Sequence, residues 1–335
     1  MSPQTVLTHE EIGRKLAAAY APIAAELEQA ERIFRDELGS RFPFVQQLLD
    51  HCSDFRGKRL RPALVLLTGQ ACGGLGEAHP VLAAVVEMIH TATLVHDDVL
   101  DEALVRRHAA TVNAEWGNEA SVLLGDFLFS HAFHLAASLD STLACRWIGR
   151  ATNLVCEGEM QQVHNRGNFD LSEDDYFSII GGKTAELTAV SCRLGAHYAG
   201  AGGATVEALE GYGRDLGVAF QIADDVLDIW GDERTTGKSL GTDLEKQKLT
   251  LPLIRLLATA PTATANTVRR LLSEADLSTR HRLRPYLESS GALAHAWDRA
   301  REFSERALAA LNILPDSPAR SVLRNLATYV VRRAS

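Results

Sequence analysis

Cysteine is scarce in this sequence, and the five present, at positions 52, 72, 145, 156 and 192, form no CxxC pair and no metal-ligand spacing. Their odd number excludes a complete disulfide framework, so they read as small buried hydrophobes of a reducing compartment. Positive charge is in deficit as well: 34 Lys and Arg against 43 Asp and Glu leave a net charge of -9. Such a balance argues against wholesale binding to nucleic acid or to an anionic membrane, both of which need a basic surface. No apolar run approaches the roughly 20 residues that span a bilayer. The first twenty residues lack the apolar stretch of a signal peptide. The chain is therefore expected in the cytoplasm, with at most peripheral membrane contact. Alternating strand patterns bounded by hairpin turns are missing too.

What is present is helical periodicity, in a chain whose 46% hydrophobic content can bury a sizeable core. Thr8 and Glu11 form a capping box before Ile12, Leu16, Ala19, Ile23 and Leu27, with Gly39 as a stop. Pro62 fits the first turn of the next apolar helix. A long helix from about Pro80 carries Leu82, Val85, Val86, Ile89 and Thr93 on one face and runs straight into the acidic string HDDVLDEAL. Further helices are predicted at about 118–138, 141–165, 172–200, 204–230 and 250–260, and through the C-terminal third. Residues 231–248, polar and glycine-bearing, read as a mobile loop between two helices. Nothing resembles an interdomain linker, so residues 1–335 are expected as one all-α domain.

One pentapeptide, Asp-Asp-Val-Leu-Asp, occurs twice, at 97–101 and 224–228. On a helix Asp97 and Asp101 share a face while Asp98 is turned about 100° away, and the same holds for Asp224, Asp228 and Asp225. Paired carboxylates after an apolar run are costly without a counterion. A hard divalent cation relieves that cost. Mg2+ suits such a site because it takes oxygen ligands and binds through one or two carboxylates plus substrate phosphates. An EF-hand is excluded by the absence of alternating oxygen ligands and of the central glycine.

A magnesium-carboxylate site calls for a polyanionic substrate, and cations stand in discrete places: Lys58, Arg59 and Arg61; Arg106 and Arg107; Lys183; Lys238; Lys246 and Lys248. Guanidinium forks grip phosphate oxygens bidentately and lysine adds a point charge. His90 lies two turns before Asp97 on the same face. Gly181-Gly182-Lys183-Thr184 interrupts a helical segment, and such a break can aim Lys183, Thr184 and a freed carbonyl into a cavity. Gln221 sits one turn before Asp224, where its amide oxygen can face the same pocket. Taken singly, each of these also reads as a surface cation, a core histidine, a packing kink or a surface glutamine.

Together the residues resemble the trans-isoprenyl (polyprenyl) diphosphate synthases. The resemblance rests on Gly57-Lys58-Arg59-Leu60-Arg61-Pro62, His90 with HDDVLDEALVRR, GGKT at 181–184, and FQIADDVLDIWGD followed by GK and GTDLEKQKLTLP. It implies an isoprenoid synthase-type helical bundle around a deep central cavity, as a homodimer, and whole-chain similarity points to octaprenyl-type enzymes. It implies Mg2+ ions at Asp97, Asp98 and Asp101 and at Asp224, Asp225 and Asp228. It further implies an allylic diphosphate (farnesyl or geranylgeranyl) on Arg106, Lys183, Thr184, Gln221, Lys238 and Lys248. Isopentenyl diphosphate would use Gly57, Lys58, Arg61, His90 and Arg107, and Lys183, Thr184 and Gln221 would serve the carbocation. One departure stands out: His108 replaces the family's glycine after the arginine pair, and histidine is among the residues that tolerate positive φ.

In this family bulky residues one to two turns before the first aspartate motif stop chain growth. Here Ala92 and Thr93 are small, with Met88 and Ile89 deeper, which favours a product of the heptaprenyl to decaprenyl kind. Phe129 and Phe133 on a neighbouring helix form a possible floor, the alternative being a farnesyl- or geranylgeranyl-length product. A class I terpene cyclase leaves the GKRLRP, His90 and Arg107 set without a purpose. An HD-type metal phosphohydrolase leaves the 224–228 copy unexplained. A regulatory subunit of a heteromeric synthase would be expected to lack an aspartate motif, and both are intact.

Overall fold

The computed structural model describes residues 19–53, 57–106, 109–231, 240–276 and 278–332. The capping box at Thr8 and Glu11, Arg107, His108 and Lys238 lie outside the described residues. A 3-10 turn leads into α1 (Ala24–Glu37), followed by α2 (Pro43–Ser53), α3 (Leu60–Ala71) and α4 (Ala78–Leu100). A two-residue strand β1 (Val105–Arg106) pairs antiparallel with β2 (Ala109–Ala110), a feature too short for any periodicity to announce. Next come α5 (Val112–Ala137), α6 (Leu143–His164), α7 (Glu173–Ile180), a π-helical turn (Gly181–Ala185), α8 (Glu186–Tyr198) and α9 (Gly203–Trp230). The C-terminal part holds α10 (Thr242–Glu245), α11 (Leu251–Thr259), α12 (Thr262–Ser273), α13 (Thr279–Ser290), α14 (Ala292–Ala310) and α15 (Pro318–Arg332).

The all-α expectation holds, and the reasons are local. Helix α4 is apolar almost all round, with Leu82, Val85, Val86, Met88, Ile89 and Ala92 fully buried, which makes it a central helix rather than a surface one. It packs between α1, α3, α5 and α8. Thr111 caps α5 by accepting from the Ala114 amide, and Ser172 caps α7 by accepting from the Asp175 amide ahead of three acidic residues in the first turn. The predicted start of α5 at 118 has a physical counterpart: helical bonding begins at Val112, but Gly117 (φ 86, ψ 167) breaks regular geometry there.

Two helices, α4 and α5, are long and apolar enough by length and composition to cross a membrane, contrary to the reading of the sequence. For α4 the explanation is its burial inside the bundle. All five cysteines are free, as expected, but only Cys52 and Cys192 are buried; Cys72 and Cys145 are half-buried and Cys156 of α6 is exposed, which corrects the expectation of five buried hydrophobes. Two apolar clusters form the core, one around α3, α4, α5 and α8, the other around the second half of α9 and α11 to α14. Trp297 and Phe303 pack against both.

The π turn is held by a close backbone approach. A Cβ on Gly158 of α6 would lie 2.4 Å from the Lys183 amide nitrogen, and one on Gly182 would lie 2.8 Å from the Leu154 carbonyl oxygen. Only glycine at both positions lets α6 lie directly on the turn that presents Lys183. Gly158→Ala is therefore expected to lower unfolding free energy by about 1–3 kcal/mol through overpacking, measured by urea denaturation. An unchanged midpoint and slope would show that the two backbones do not meet as described.

Candidate active site

The first wall is the C-terminal end of α4. Helical geometry separates its three aspartates as the sequence requires. Asp98 is 1% exposed, and Arg106 of β1 forks onto it, with Nε at 2.9 and 3.0 Å from the two carboxylate oxygens and Nη2 at 2.7 Å. Asp101 receives the Lys248 ammonium at 2.9 Å on one oxygen and the Arg166 guanidinium at 2.8 Å on the other. Burial raises the Asp101 pKa, but Lys248, Lys183 and Arg166 outweigh it and hold the carboxyl below the ordinary carboxylate range. Asp97 is pushed up to about 6 by burial, with Lys183 pulling the other way and Glu159 and Asp101 adding to the rise.

The second wall is the C-terminal end of α9. Asp225 is 5% exposed; it accepts the Tyr176 hydroxyl at 2.7 Å and the Gln221 amide nitrogen at 2.7 Å. Gln221 in turn accepts the Thr184 hydroxyl at 2.8 Å, so its amide is fixed end to end. Asp228 accepts the backbone amide of Asp243 at 3.2 Å and the Thr242 hydroxyl at 3.3 Å. Asp243 is half-buried, and its carboxyl is pushed up to about 6 by desolvation and by Asp228, against the pull of Lys248 and Lys183, while Asp101 adds to the rise.

One carboxyl thus feels charges from both walls. Lys248, just beyond α10, bonds Asp101 of α4, and Asp243 at the start of α10 bonds Asp228 of α9. The two DDVLD segments share one cleft. Between the walls the π turn presents Lys183, whose ammonium contacts Glu159 and donates to Gln162 at 2.7 Å, both residues on α6. Burial works against its charge, but Asp97 and Glu159 hold its pKa above the ordinary lysine value. π turns of this kind recur at functional sites because the extra residue frees backbone groups.

Of the six aspartates expected to face a metal, Asp98 and Asp225 are themselves buried, on Arg106 and on Tyr176 with Gln221. Asp97, Asp101, Asp224 and Asp228 are the first and last aspartates of the two motifs; Asp97 and Asp101 lie near Lys183, and Asp228 is linked to the Asp101 side through the 242–248 stretch. Among the described residues no group of three or more His, Cys, Asp or Glu side chains is arranged to hold an ion by itself. The donors are carboxylate oxygens split between two helices, which fits a hard cation whose remaining ligands come from water and substrate phosphates.

The residues expected around the second diphosphate gather at the start of α3 and on α4. Arg61 is half-buried; desolvation pulls its pKa down to about 10, with Glu87 pushing it back up, so it stays charged at neutral pH. The Lys58 carbonyl accepts the Tyr20 hydroxyl at 3.3 Å. Arg59 caps α3 in the left-handed region (φ 50) and pairs with Glu31. A cleft enclosing about 610 Å³, part of it open to solvent, is lined by Leu27, Phe34, Gly57, Arg59, Pro62 and Glu87. His90 is half-buried, and its carbonyl accepts the Thr93 hydroxyl at 2.7 Å. Met88, Ile89 and Ala92 are fully buried, Thr93 half-buried. Phe129 and Phe133 are half-buried on α5, with the Phe129 ring 5.8 Å from that of His96.

Five residues of the site were not singled out in the sequence. Glu159 and Gln162 are polar and one turn apart on α6, but nothing in the sequence separates them from Arg150, Asn153, Glu157 and Gln161 of the same helix. Asp243 carried a signal, lying among the cations of the 241–248 stretch. Arg166 and Tyr176 had none, because their partners Asp101 and Asp225 lie 65 and 49 residues away.

Comparison with known proteins agrees with this geometry. The polyprenyl synthetase family model matches residues 42–288. Octaprenyl diphosphate synthase of Escherichia coli (strain K12) is 39% identical over 301 residues, covering 89% of this chain and 93% of the relative. All-trans-nonaprenyl-diphosphate synthase (geranyl-diphosphate specific) of Rhodobacter capsulatus is 38% identical, covering 93% and 96%. Among solved structures, a decaprenyl diphosphate synthase from Rhodobacter capsulatus superposes with a TM-score of 0.90 at 35% identity, over 96% of this chain and 99% of the other. A polyprenyl synthase from Caulobacter crescentus CB15, complexed with calcium and isoprenyl diphosphate, gives 0.90 at 36% identity, over 99% and 100%. With the family model spanning most of the chain and relatives above 30% identity along nearly its full length, this chain belongs to the polyprenyl synthetase family and is a prenyltransferase.

Proposed function

We propose that the protein condenses isopentenyl diphosphate head-to-tail with an allylic diphosphate, farnesyl or geranylgeranyl, to make a long all-trans polyprenyl diphosphate with release of pyrophosphate. The observation that carries this reading is the shared cleft, in which Asp101 on one wall and Asp228 on the other are tied together through the 242–248 stretch. Residues 1–335 act as one synthase domain, a reading supported by Trp297 and Phe303 joining the two apolar clusters.

Asp97, Asp101, Asp224 and Asp228 would hold Mg2+, with Asp98 and Asp225 supporting them from within the protein. When bound, the ions supply positive charge to the oxygens of a departing pyrophosphate. The chain's own groups do the rest. Lys183 and Lys248, with Arg106 and Lys238, add cations where negative charge develops as the allylic C–O bond breaks and pyrophosphate leaves with the electron pair. The Gln221 amide oxygen, oriented by the Thr184 hydroxyl and fixed by Asp225, sets a dipole beside the carbocation. Gly57, Lys58, Arg61, His90 and Arg107 orient isopentenyl diphosphate so that its double bond attacks the allylic carbon. The released pyrophosphate then takes the proton lost as the new double bond forms. Burial around α4 keeps water from quenching the cation.

Two further readings belong to the same proposal. The protein is a cytoplasmic homodimer, with at most peripheral membrane contact for product release. Support for the dimer comes from exposed apolar side chains, Val122 and Leu123 of α5 at 43% and 68% exposure and Met160 and Val163 of α6 at 61% and 39%.

Incubation with magnesium, isopentenyl diphosphate and farnesyl diphosphate, followed by chromatography of the dephosphorylated products, tests the activity directly. Asp97→Ala and Asp224→Ala are each expected to cut turnover by roughly a hundredfold or more with the helical fold kept; near-normal rates in both would reject the assignment. Ala92→Phe is expected to shorten the product, and an unchanged length would move the limit to Phe129 or Phe133. Leu123→Glu is expected to convert a dimer to a monomer in sedimentation velocity. A dimer unaffected by that charge would exclude this face as the interface.

A further inference from the structure

Two arginines one turn apart on α13 converge on the C-terminal end of α9. Arg280 is 8% exposed; its Nε donates to the Ile229 carbonyl at 3.0 Å and its Nη2 to the Gly231 carbonyl. Arg284 reaches the Trp230 carbonyl at 3.4 Å, its guanidinium lying 4.5 Å above the Trp230 ring. These three consecutive carbonyls belong to the set that every helix end leaves unpaired, and they carry the negative pole of the helix dipole.

The two arginines differ in one respect. Arg284 touches the departing helix. Arg280 also borders the returning chain: at Gly241, in the left-handed region (φ +86), an added Cβ would lie 3.6 Å from Arg280 Cδ and 3.8 Å from its Cβ, so the arginine stem runs alongside this residue. The Gly241 amide itself donates to the Asp228 carbonyl at 3.0 Å. Immediately beyond, Thr242 and Asp243 deliver the hydroxyl and the amide that hold the Asp228 carboxylate. Arg280 therefore fixes the point where the chain leaves α9 against the point where it comes back, and the bonds on Asp228 hang on that junction.

We propose that Arg280 is a positioning residue for the second aspartate set, aligning Asp228 and Asp243 as a unit toward the cleft through the Gly231–Gly241 junction. The proposal rests on the metal and diphosphate roles given above to these aspartates. A plain helix cap would need only Ile229 and Gly231. The passage of its stem beside Gly241 sets the cap next to an amide that holds the Asp228 carbonyl, two residues before the Asp243 amide that holds the Asp228 carboxylate.

The test compares Arg280→Ala, Arg280→Lys and Arg284→Ala in the full-length chain. Calorimetric titration of magnesium with inorganic pyrophosphate reads binding without turnover, so it remains informative even where the condensation assay fails. Removing an outer partner of a metal ligand typically weakens metal affinity by about 10–100-fold. Arg280→Ala is expected to weaken magnesium-pyrophosphate binding and raise half-saturating magnesium by about tenfold on that basis. The KM for isopentenyl diphosphate should stay within about twofold, since that site depends on α3 and α4. Arg280→Lys, able to keep one donor on Ile229, should recover part of the loss, and Arg284→Ala should lower thermal stability with magnesium dependence unchanged. Equal shifts in Arg280→Ala and Arg284→Ala, or a stability loss in Arg280→Ala with unaltered magnesium-pyrophosphate affinity, would reduce Arg280 to an ordinary cap. If Arg280→Ala fails to fold, the lysine variant decides: wild-type affinity in it overturns the proposal.

Discussion

Negative charge gathered in a partly dry cleft is the constraint on which the rest of this structure depends. Asp97 feels the charge of Asp101, Asp243 feels those of Asp228 and Asp101, and burial raises the free energy of the ionised forms of Asp97, Asp101 and Asp243. The cleft is tenable because cations arrive from stretches far apart in sequence: Lys183 from the π turn, Arg166 from the segment after α6, Lys248 from the segment after α10. Helices α4, α6 and α9 are the frame that brings these charges together. A flexible chain could not hold them so, since like carboxylates would drift apart into water.

Each aspartate motif divides its labour along the helical repeat. The middle aspartate of each, turned away from its neighbours, is spent on the scaffold: Asp98 anchors Arg106 and the small β1–β2 pair, and Asp225 anchors Tyr176 and orients Gln221. Of the outer aspartates, Asp101 takes Lys248 and Arg166, and Asp228 takes the Thr242 hydroxyl and the Asp243 amide. The same five-residue string therefore supplies both a reactive surface and the fastening that keeps that surface in register. In a polyprenyl synthetase the two functions need not be sought in separate parts of the chain.

How much of this was legible beforehand follows from the range of each interaction. Helices driven by dense apolar patterning, such as α4 and α9, were readable because burial and periodicity are local properties. The two carboxylate sets and the break at GGKT were readable for the same reason. The β1–β2 pair was not, since two residues a side carry no period. The pairing of Tyr176 with Asp225, or of Arg166 with Asp101, depends on how helices stack, and no spacing encodes that. The apolar length of α5 was underrated because Asp126, His131 and His134 interrupt its apolar run although its average composition is apolar.

The π turn between α7 and α8 adds one residue to what would otherwise be a continuous helix. Loss of a single residue from 181–185 would restore regular α geometry and swing all of α8 by about 100° relative to α7. Gly195, which lets α8 lie against the Val65 carbonyl of α3, would then face elsewhere, and a side chain would arrive where there is room for none. The numerical length of this stretch, as much as its lysine and threonine, is thus fixed by packing on the far side of the bundle, and insertions or deletions there should be purged even where every charged group survives.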